Sequence, residues 1–190
     1  MKSLKTLLAA ASLLAANAFA NPVPATLDSF DDAKANALGL ERLFLDDSSA
    51  GGKTTARYTI ANGTLSASGD IAPPRGQPGW ASVIFLLDAT GQAQNLSHYQ
   101  GIRLKIRIQK GNVSISANSA AVNNFDYHAA PIARKAGNDF QEVKIPFSSL
   151  KRAWSEQTPL DPKTIVSLSL VAFDMQPTAF AFEVEEIGFY

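Results

Sequence analysis

Hydrophobic and polar residues alternate with a period of two in short segments along most of the chain. The clearest segment is residues 102–108, in which four aliphatic side chains alternate with three basic ones; residues 113–118 repeat the pattern with serine and asparagine at the polar positions. Successive side chains of a strand point to opposite faces of its sheet, so each segment is predicted to be a strand with one face in the core. The positions predicted to be buried, with two from a later segment, are Ile102, Leu104, Ile106, Ile108, Val113, Ile115, Leu168 and Leu170.

The same reading predicts further strands, with turns and loops between them. Residues 54–60 and 64–71 flank Asn62-Gly63, the dipeptide best suited to a two-residue hairpin turn. Only residues 32–45 and 148–154 are predicted to contain short helices. Many short strands joined by polar turns indicate an all-β fold, an antiparallel two-sheet sandwich or jelly roll. The remaining predicted strands are residues 80–87, 125–132, 140–145, 164–173 and 179–189.

The first 20 residues have the pattern of a secretory signal peptide. Two lysines precede an apolar run at residues 6–16, and Ala18 and Ala20 occupy the two positions that a signal peptidase reads. The run is shorter than the roughly 20 residues that span a bilayer, so the protein is not expected to be membrane-spanning. We therefore predict that residues 1–20 are removed and that residues 21–190 form one domain that is periplasmic or secreted.

Composition narrows the range of partners and cofactors. Removal of the two lysines of the leader leaves 15 basic residues against 17 acidic ones, without a basic cluster, so no nucleic-acid partner is expected. The sequence has no cysteine, and His98 and His128 lack the spacing of metal ligands, so we expect no thiol catalysis, no zinc site and no cofactor. A calcium ion held by carboxylates near the chain ends stays open, although no loop has the spaced aspartates typical of such sites.

The motifs do not assemble a catalytic site, and we predict that the protein is not an enzyme. Residues 51–54, Gly-Gly-Lys-Thr, look like the end of a phosphate-binding loop, but Asp47 stands where that loop needs glycine and a predicted strand follows. No Gly-x-Ser-x-Gly motif occurs. The acidic pairs 31–32, 46–47 and 185–186 are adjacent residues that would point to opposite faces of a strand, so they are interpreted as solvated charges rather than as a carboxylate pair.

Aromatic and amide side chains provide the candidate binding site. Trp80, Tyr127 and Trp154 are each either packing residues or stacking surfaces for sugar rings. The polar positions of residues 103–107 and 114–118 are interpreted as one outward face, either solvated or a binding platform. The predicted ligand-binding residues are Trp80 and Tyr127 for stacking, and Arg107 and Asn118 for hydrogen bonds.

Several segments, in order along the chain, resemble those of the complex I intermediate-associated protein 30 family. Residues 47–54 resemble its Asp-x-x-Met-Gly-Gly-x-Ser signature, with Ala50 in place of the usual methionine. Residues 95–102, Asn-Leu-Ser-His-Tyr-Gln-Gly-Ile, resemble its Asp-Leu-Ser-x-Tyr-x-Gly-Ile segment. Further similar segments are residues 27–32, 79–82, 140–147 and 182–190.

The resemblance implies a galactose-binding-like jelly roll, the fold of related carbohydrate-binding modules, and a non-catalytic binding function. The leading hypothesis is a module that binds carbohydrate or glycolipid. The alternative is an assembly or accessory factor that binds another protein of the cell envelope, as the family's role in assembling respiratory complex I suggests.

Overall fold

The computed structural model describes residues 22–190, so the predicted leader, residues 1–20, lies outside the described residues. Twelve β-strands account for the regular structure, and helical geometry among the described residues is limited to three short 3-10 turns. The strands are β1 (Thr26–Asp28), β2 (Leu43–Asp46), β3 (Thr55–Ala61), β4 (Thr64–Ile71), β5 (Gly79–Leu86), β6 (Gly101–Lys110), β7 (Asn112–Ser119), β8 (His128–Ile132), β9 (Gln141–Pro146), β10 (Lys151–Arg152), β11 (Ile165–Asp174) and β12 (Thr178–Phe189). The 3-10 turns are Asp47–Ala50, Phe147–Ser149 and Pro162–Thr164.

The strands form two six-stranded sheets in which every pairing is antiparallel. Sheet I has the order β3-β4-β12-β6-β9, with β1 also paired to β12. Sheet II has the order β10-β8-β7-β11-β5-β2. The predicted antiparallel two-sheet sandwich is therefore confirmed. No helix among residues 22–190 is long and apolar enough to cross a membrane.

The core lies between the two sheets and is built from the inward positions of the alternating strands. All eight positions that the alternation predicted to be core have relative exposures of 5% or less. The Asn62-Gly63 turn also forms as predicted, with both residues at positive φ, 53° and 69°. The strongest sequence patterns therefore correspond to the best-packed part of the structure.

Strands β6 and β7 belong to different sheets, which corrects the interpretation of their polar positions as one face. β6 pairs with β12 and β9, whereas β7 pairs with β11 and β8. Only Gly111 lies between the two strands, with a φ of 77° that favours glycine. At this residue the chain passes from sheet I to sheet II, and the two strands do not pair as a hairpin. The basic residues of β6 and the polar residues of β7 consequently lie on opposite outer faces of the sandwich.

The two predicted helices are not formed, and a local polar contact explains the first. Within residues 32–45, the Asn36 side-chain oxygen accepts hydrogen bonds from the Leu38 and Leu40 backbone N–H groups, at 3.0 and 3.1 Å, and Gly39 has a φ of 73°. These bonds make a turn that leads into β2. Residues 148–154 contain the end of a 3-10 turn and the short strand β10.

A buried ion pair fastens the turn between β1 and β2 to the sandwich. The Arg42 guanidinium donates to both carboxylate oxygens of Asp28, at 2.6 and 2.7 Å, and both side chains are almost fully buried. The same guanidinium donates to the backbone oxygens of Asp32 and Ala35. The ion pair therefore links β1 to the residue that precedes β2 and helps to order the segment between them.

Candidate functional site

A groove of about 460 Å³ crosses the outer face of sheet II. Its floor consists of short side chains from three neighbouring strands, Ser82 of β5, Ser116 and Asn118 of β7, and Ser169 and Val171 of β11. The three serines are buried although they point away from the core, because the rims of the groove rise around them. Short hydroxyl side chains allow a ligand to approach the sheet closely and offer it donors and acceptors.

Aromatic side chains flank this floor on both sides. Trp80 and Phe173 are paired neighbours on β5 and β11 at one side. At the other side the rings of Tyr127 and Trp154 meet edge to face, with centroids 5.2 Å apart and an interplanar angle of 88°. Trp154 is 60% exposed and Phe125, on the same rim, is 96% exposed. Exposed aromatic side chains around a concave polar surface are typical of a binding site.

Three of the four predicted ligand-binding residues, Trp80, Asn118 and Tyr127, line this one groove. Their role in binding stays a prediction. Arg107 does not join them, because β6 lies in sheet I. Its guanidinium donates to Glu183 at 2.6 Å and lies over the Phe140 ring, 4.5 Å from the centroid. Arg107 thus takes part in the charged surface of the opposite face.

Asn118 is held in place by the serines around it. Its Nδ2 donates to Ser167 Oγ at 2.8 Å and to Ser169 Oγ at 2.9 Å. Both amide hydrogens are used in these bonds, so Oδ1 is the atom that remains to accept a hydrogen bond from a ligand hydroxyl.

A buried carboxylate, Asp126, supports the Tyr127–Trp154 side of the groove. Asp126 accepts hydrogen bonds from the backbone N–H groups of Tyr127, Ala153 and Ser155, from the Ser155 hydroxyl and from Arg152. Burial by itself would raise the pKa of Asp126, but the hydrogen bonds from Ser155, Arg152 and the backbone outweigh it and hold the pKa well below its usual value. Asp126 therefore stays ionised throughout the neutral and mildly acidic range.

A second buried carboxylate, Asp47, supports the Trp80 side. Asp47 accepts from the Thr54 backbone N–H at 3.1 Å, from Thr54 Oγ1 at 2.7 Å and from the Trp80 backbone N–H at 3.1 Å. A Cβ at Gly52 would overlap the Asp47 carboxylate, which accounts for glycine at that position. The interpretation of Asp47 as a solvated charge is therefore wrong, since the residue is fully buried. The signal available in the sequence was the spacing of Asp47, Gly52 and Thr54 in the signature segment.

A second groove of about 790 Å³ lies beside the first, towards β8 and β10. Pro78, Tyr127, Trp154 and Phe173 line both grooves, and the contacting rings of Tyr127 and Trp154 are called the ridge between them. Lys151 and Asp174 add charge to the second groove, whereas no charged side chain of the described residues lines the first. The surface with a candidate binding function is thus uncharged at the first groove and mixed in charge at the second.

Two further features of the site had weak sequence signals. Phe173 ends the predicted strand 164–173, and Phe125 was predicted to begin the strand 125–132 but precedes β8, which begins at His128. His128 is buried, with Nε2 2.8 Å from the Thr158 carbonyl oxygen. Within residues 22–190, the acidic and histidine side chains form no group of three that could hold a metal ion.

The two antiparallel sheets, with an aromatic-flanked groove on one outer face, define a galactose-binding-like jelly roll, the fold of carbohydrate-binding modules. The sequence model of the complex I intermediate-associated protein 30 (CIA30) family matches residues 37–184. The chain belongs to this family. No protein with a curated description shows a significant sequence match.

Solved structures with the same fold include several carbohydrate-binding modules. A family 11 module from Clostridium thermocellum, in complex with a β-1,3-1,4-mixed-linked tetrasaccharide, has a TM-score of 0.60 at 18% identity, covering 86% of this chain and 93% of the module. The family 11 module of the cellulosomal cellulase Lic26A-Cel5E from the same organism has a TM-score of 0.57 at 17% identity, over 84% of this chain and 92% of that one. The agarase AgWH50C has a TM-score of 0.55 at 10% identity, covering 87% of this chain but 26% of the agarase. At these identities the similarity is one of fold.

Proposed function

We propose that this protein is an exported, non-catalytic binding module for carbohydrate or glycolipid, and that its ligand lies in the first groove of sheet II. The observation that carries the proposal is the combination of a serine and asparagine floor with aromatic side chains on both sides, Trp80 and Phe173 on one and Tyr127 and Trp154 on the other. Trp154 is exposed and the other three are half-buried. The apolar faces of sugar rings pack on aromatic rings while their hydroxyls bond to short polar side chains. The mixed-linked tetrasaccharide in complex with a module of the same fold supports this ligand class.

The charge of the groove favours a neutral glycan. Its lining in the described residues is uncharged, and the basic side chains of β6 that would attract an anionic sugar lie on the other sheet, where Arg103 and Arg107 are paired with Glu186 and Glu183. An uncharged sugar avoids the cost of removing a charged group from water without a partner.

The test is binding of the purified mature domain to a panel of neutral, amino and anionic oligosaccharides, measured by calorimetry. We expect a neutral oligosaccharide to bind, and Trp154→Ala to weaken that binding at least about 30-fold, as loss of an aromatic anchor commonly does. Phe44→Ala, which truncates an aromatic side chain of similar partial exposure on β2, is the matched control and should bind within twofold of the parent. Equal binding by the parent and Trp154→Ala would contradict the proposed groove.

A second candidate function is an accessory factor that binds another envelope protein, and one observation favours it. Leu43, Phe44 and Leu45 are consecutive residues of the edge strand β2 and are 41–49% exposed. Exposed apolar edge strands are sites for pairing with other chains. Capture of a partner from envelope extract that is lost with Phe44→Ala and kept with Trp154→Ala would favour this function over glycan binding.

Export belongs to the same proposal and has its own test. Cleavage after Ala20 would leave Asn21 as the first residue of the mature protein, which mass spectrometry of periplasmic or secreted material would detect. An intact Met1 in a membrane fraction would contradict export as proposed.

A further inference from the structure

One buried side chain holds both aromatic residues of the ridge between the two grooves. Asp126 Oδ1 accepts from the backbone N–H of Tyr127 at 2.8 Å and of Ala153 at 3.0 Å, and Oδ2 accepts from the backbone N–H of Ser155 at 3.1 Å. Ala153 and Ser155 are the residues immediately before and after Trp154. The backbone that carries Trp154 is therefore fixed on both sides to the same carboxylate that fixes Tyr127.

Arg152 completes this network and extends it to the outer rim. Its Nε donates to Asp126 Oδ2 at 2.9 Å, and its Nη2 donates to Asn124 Oδ1 at 2.9 Å and to Ser155 Oγ at 2.7 Å. Asn124 precedes Phe125, which has a φ of 61° and is almost fully exposed. Side-chain packing cannot hold so exposed a residue in a left-handed conformation, so the hydrogen bonds of the neighbouring residues must do so.

We propose that Asp126 is a positioning residue of the ligand site, which holds Tyr127 and Trp154 edge to face so that Trp154 is presented to the ligand in a fixed orientation. The ligand part of this inference rests on the proposed function, with a neutral glycan as the ligand. Trp154 is mostly exposed and packs little against the core, so its orientation depends on the backbone that Asp126 holds. An aromatic side chain that is already ordered before the ligand binds loses little conformational entropy on binding, and this increases the affinity.

A second buried aspartate–arginine pair provides a matched control. Asp28 and Arg42 form an ion pair that is at least as buried as that of Asp126 and Arg152, yet neither residue lines a groove. Asp28→Asn and Asp126→Asn therefore remove the same charge from the same kind of pair, and only one of them supports the ridge.

The test is ¹⁹F NMR of the domain labelled with 5-fluorotryptophan, which gives one signal each for Trp80 and Trp154, assigned with Trp80→Phe. Asp126→Asn should shift or broaden the Trp154 signal and leave the Trp80 signal in place, whereas Asp28→Asn should change neither. Ser155→Ala, which removes one donor to Asp126 and leaves the carboxylate, is the milder variant if Asp126→Asn does not fold; it should change the Trp154 signal alone. The inference is overturned if the Trp154 signal is unchanged in both Asp126→Asn and Ser155→Ala. It is also overturned if Asp28→Asn changes the Trp154 signal as much as Asp126→Asn does.

Binding of the mixed-linkage tetrasaccharide separates this inference from the proposed function. If the parent binds, Asp126→Asn should weaken binding at least tenfold and Asp28→Asn less than twofold; equal binding by Asp126→Asn and the parent overturns the positioning role. If no oligosaccharide of the panel binds the parent, the proposed function fails, and the NMR result alone decides whether Asp126 orders Trp154.

Discussion

At the scale of single residues, two buried aspartates hold the backbone on the two sides of the groove by hydrogen bonds. Asp47 holds the backbone of Trp80 on one side, and Asp126 holds the backbone of Tyr127 and the neighbours of Trp154 on the other. Each carboxylate accepts at least three hydrogen bonds, which offsets the cost of burying its charge. Substitutions that remove single donors to these carboxylates should therefore have measurable effects.

Thr54→Val should lower the free energy of unfolding by about 2 kcal/mol, the cost typical of leaving buried polar groups without a partner. The change removes the hydroxyl that donates to Asp47 and accepts from the Ala72 backbone N–H at 3.0 Å, and it keeps the shape of the side chain. Thr54→Ser keeps the hydroxyl and should recover most of the stability. Urea unfolding of the three proteins measures the effect; equal losses for valine and serine would mean that the methyl group contributes as much as the hydroxyl, which would contradict the expectation.

The contribution of Asp126 to stability should depend on pH in a defined direction. Its native pKa lies below the value of about 3.9 expected for the unfolded chain, so the contribution is complete above that value and is lost as the pH falls towards the native pKa. Two ionisable residues donate hydrogen bonds to Asp126: Arg152 through its guanidinium, and Tyr127 through its backbone N–H. The pKa of Tyr127 is raised by burial and by the charge of Asp126, so neither side chain changes its charge between pH 7 and 3.

The measurement is urea unfolding of the parent and Asp126→Asn from pH 7 to pH 3. The parent should be more stable by about 3 kcal/mol at neutral pH, as expected when a buried ion pair loses one partner. The difference should be constant between pH 7 and 5 and should shrink below about pH 4. A difference that stays constant down to pH 3 would mean that the native carboxylate of Asp126 is not specially stabilised.

At the scale of elements, the strands divide into those that local pattern determines and those that only the packing of the whole sandwich determines. β6, β7 and β11 have clear alternation, and their inward faces agree with the buried positions. Which sheet each strand joins is not encoded in its own alternation, because the same pattern suits either sheet. The separation of β6 from β7 at Gly111 therefore escaped prediction, and Arg107 was assigned to the wrong surface.

Ile106→Ala should cost between about 2 and 5 kcal/mol, because the side chain is fully buried between the sheets and its removal leaves a cavity. Lys105→Ala, one residue away on the same strand, truncates an exposed side chain and should change stability by less than about 0.5 kcal/mol. Thermal or urea unfolding distinguishes the two. Similar losses for both variants would mean that the inward face of β6 has been misassigned.

At the scale of the whole molecule, the two outer faces have different characters. Sheet I carries three ion pairs between β6 and β12, so the basic side chains of β6 are paired within the sheet. The pairs are Arg103 with Glu186, Lys105 with Glu185 and Arg107 with Glu183. Sheet II carries the uncharged groove and its exposed aromatic rims. Trp80, Tyr127, Trp154 and the polar positions of β7 could be predicted from the sequence as candidates. Ser82, Ser169 and Asp126 could not, because their place at the groove depends on strands far apart in the chain.

The most direct test of the account is to map ligand contacts on the whole domain by NMR, with ¹⁵N-labelled residues 21–190 titrated with the mixed-linkage tetrasaccharide and the neutral oligosaccharides of the panel. We predict that shift changes cluster at Trp80, Ser116, Asn118, Tyr127 and Trp154, on the outer face of sheet II, and leave Arg103, Lys105 and Arg107 of sheet I unchanged. Changes centred on sheet I or on β2, or no change with any neutral oligosaccharide, would contradict the assignment of this groove as a glycan site.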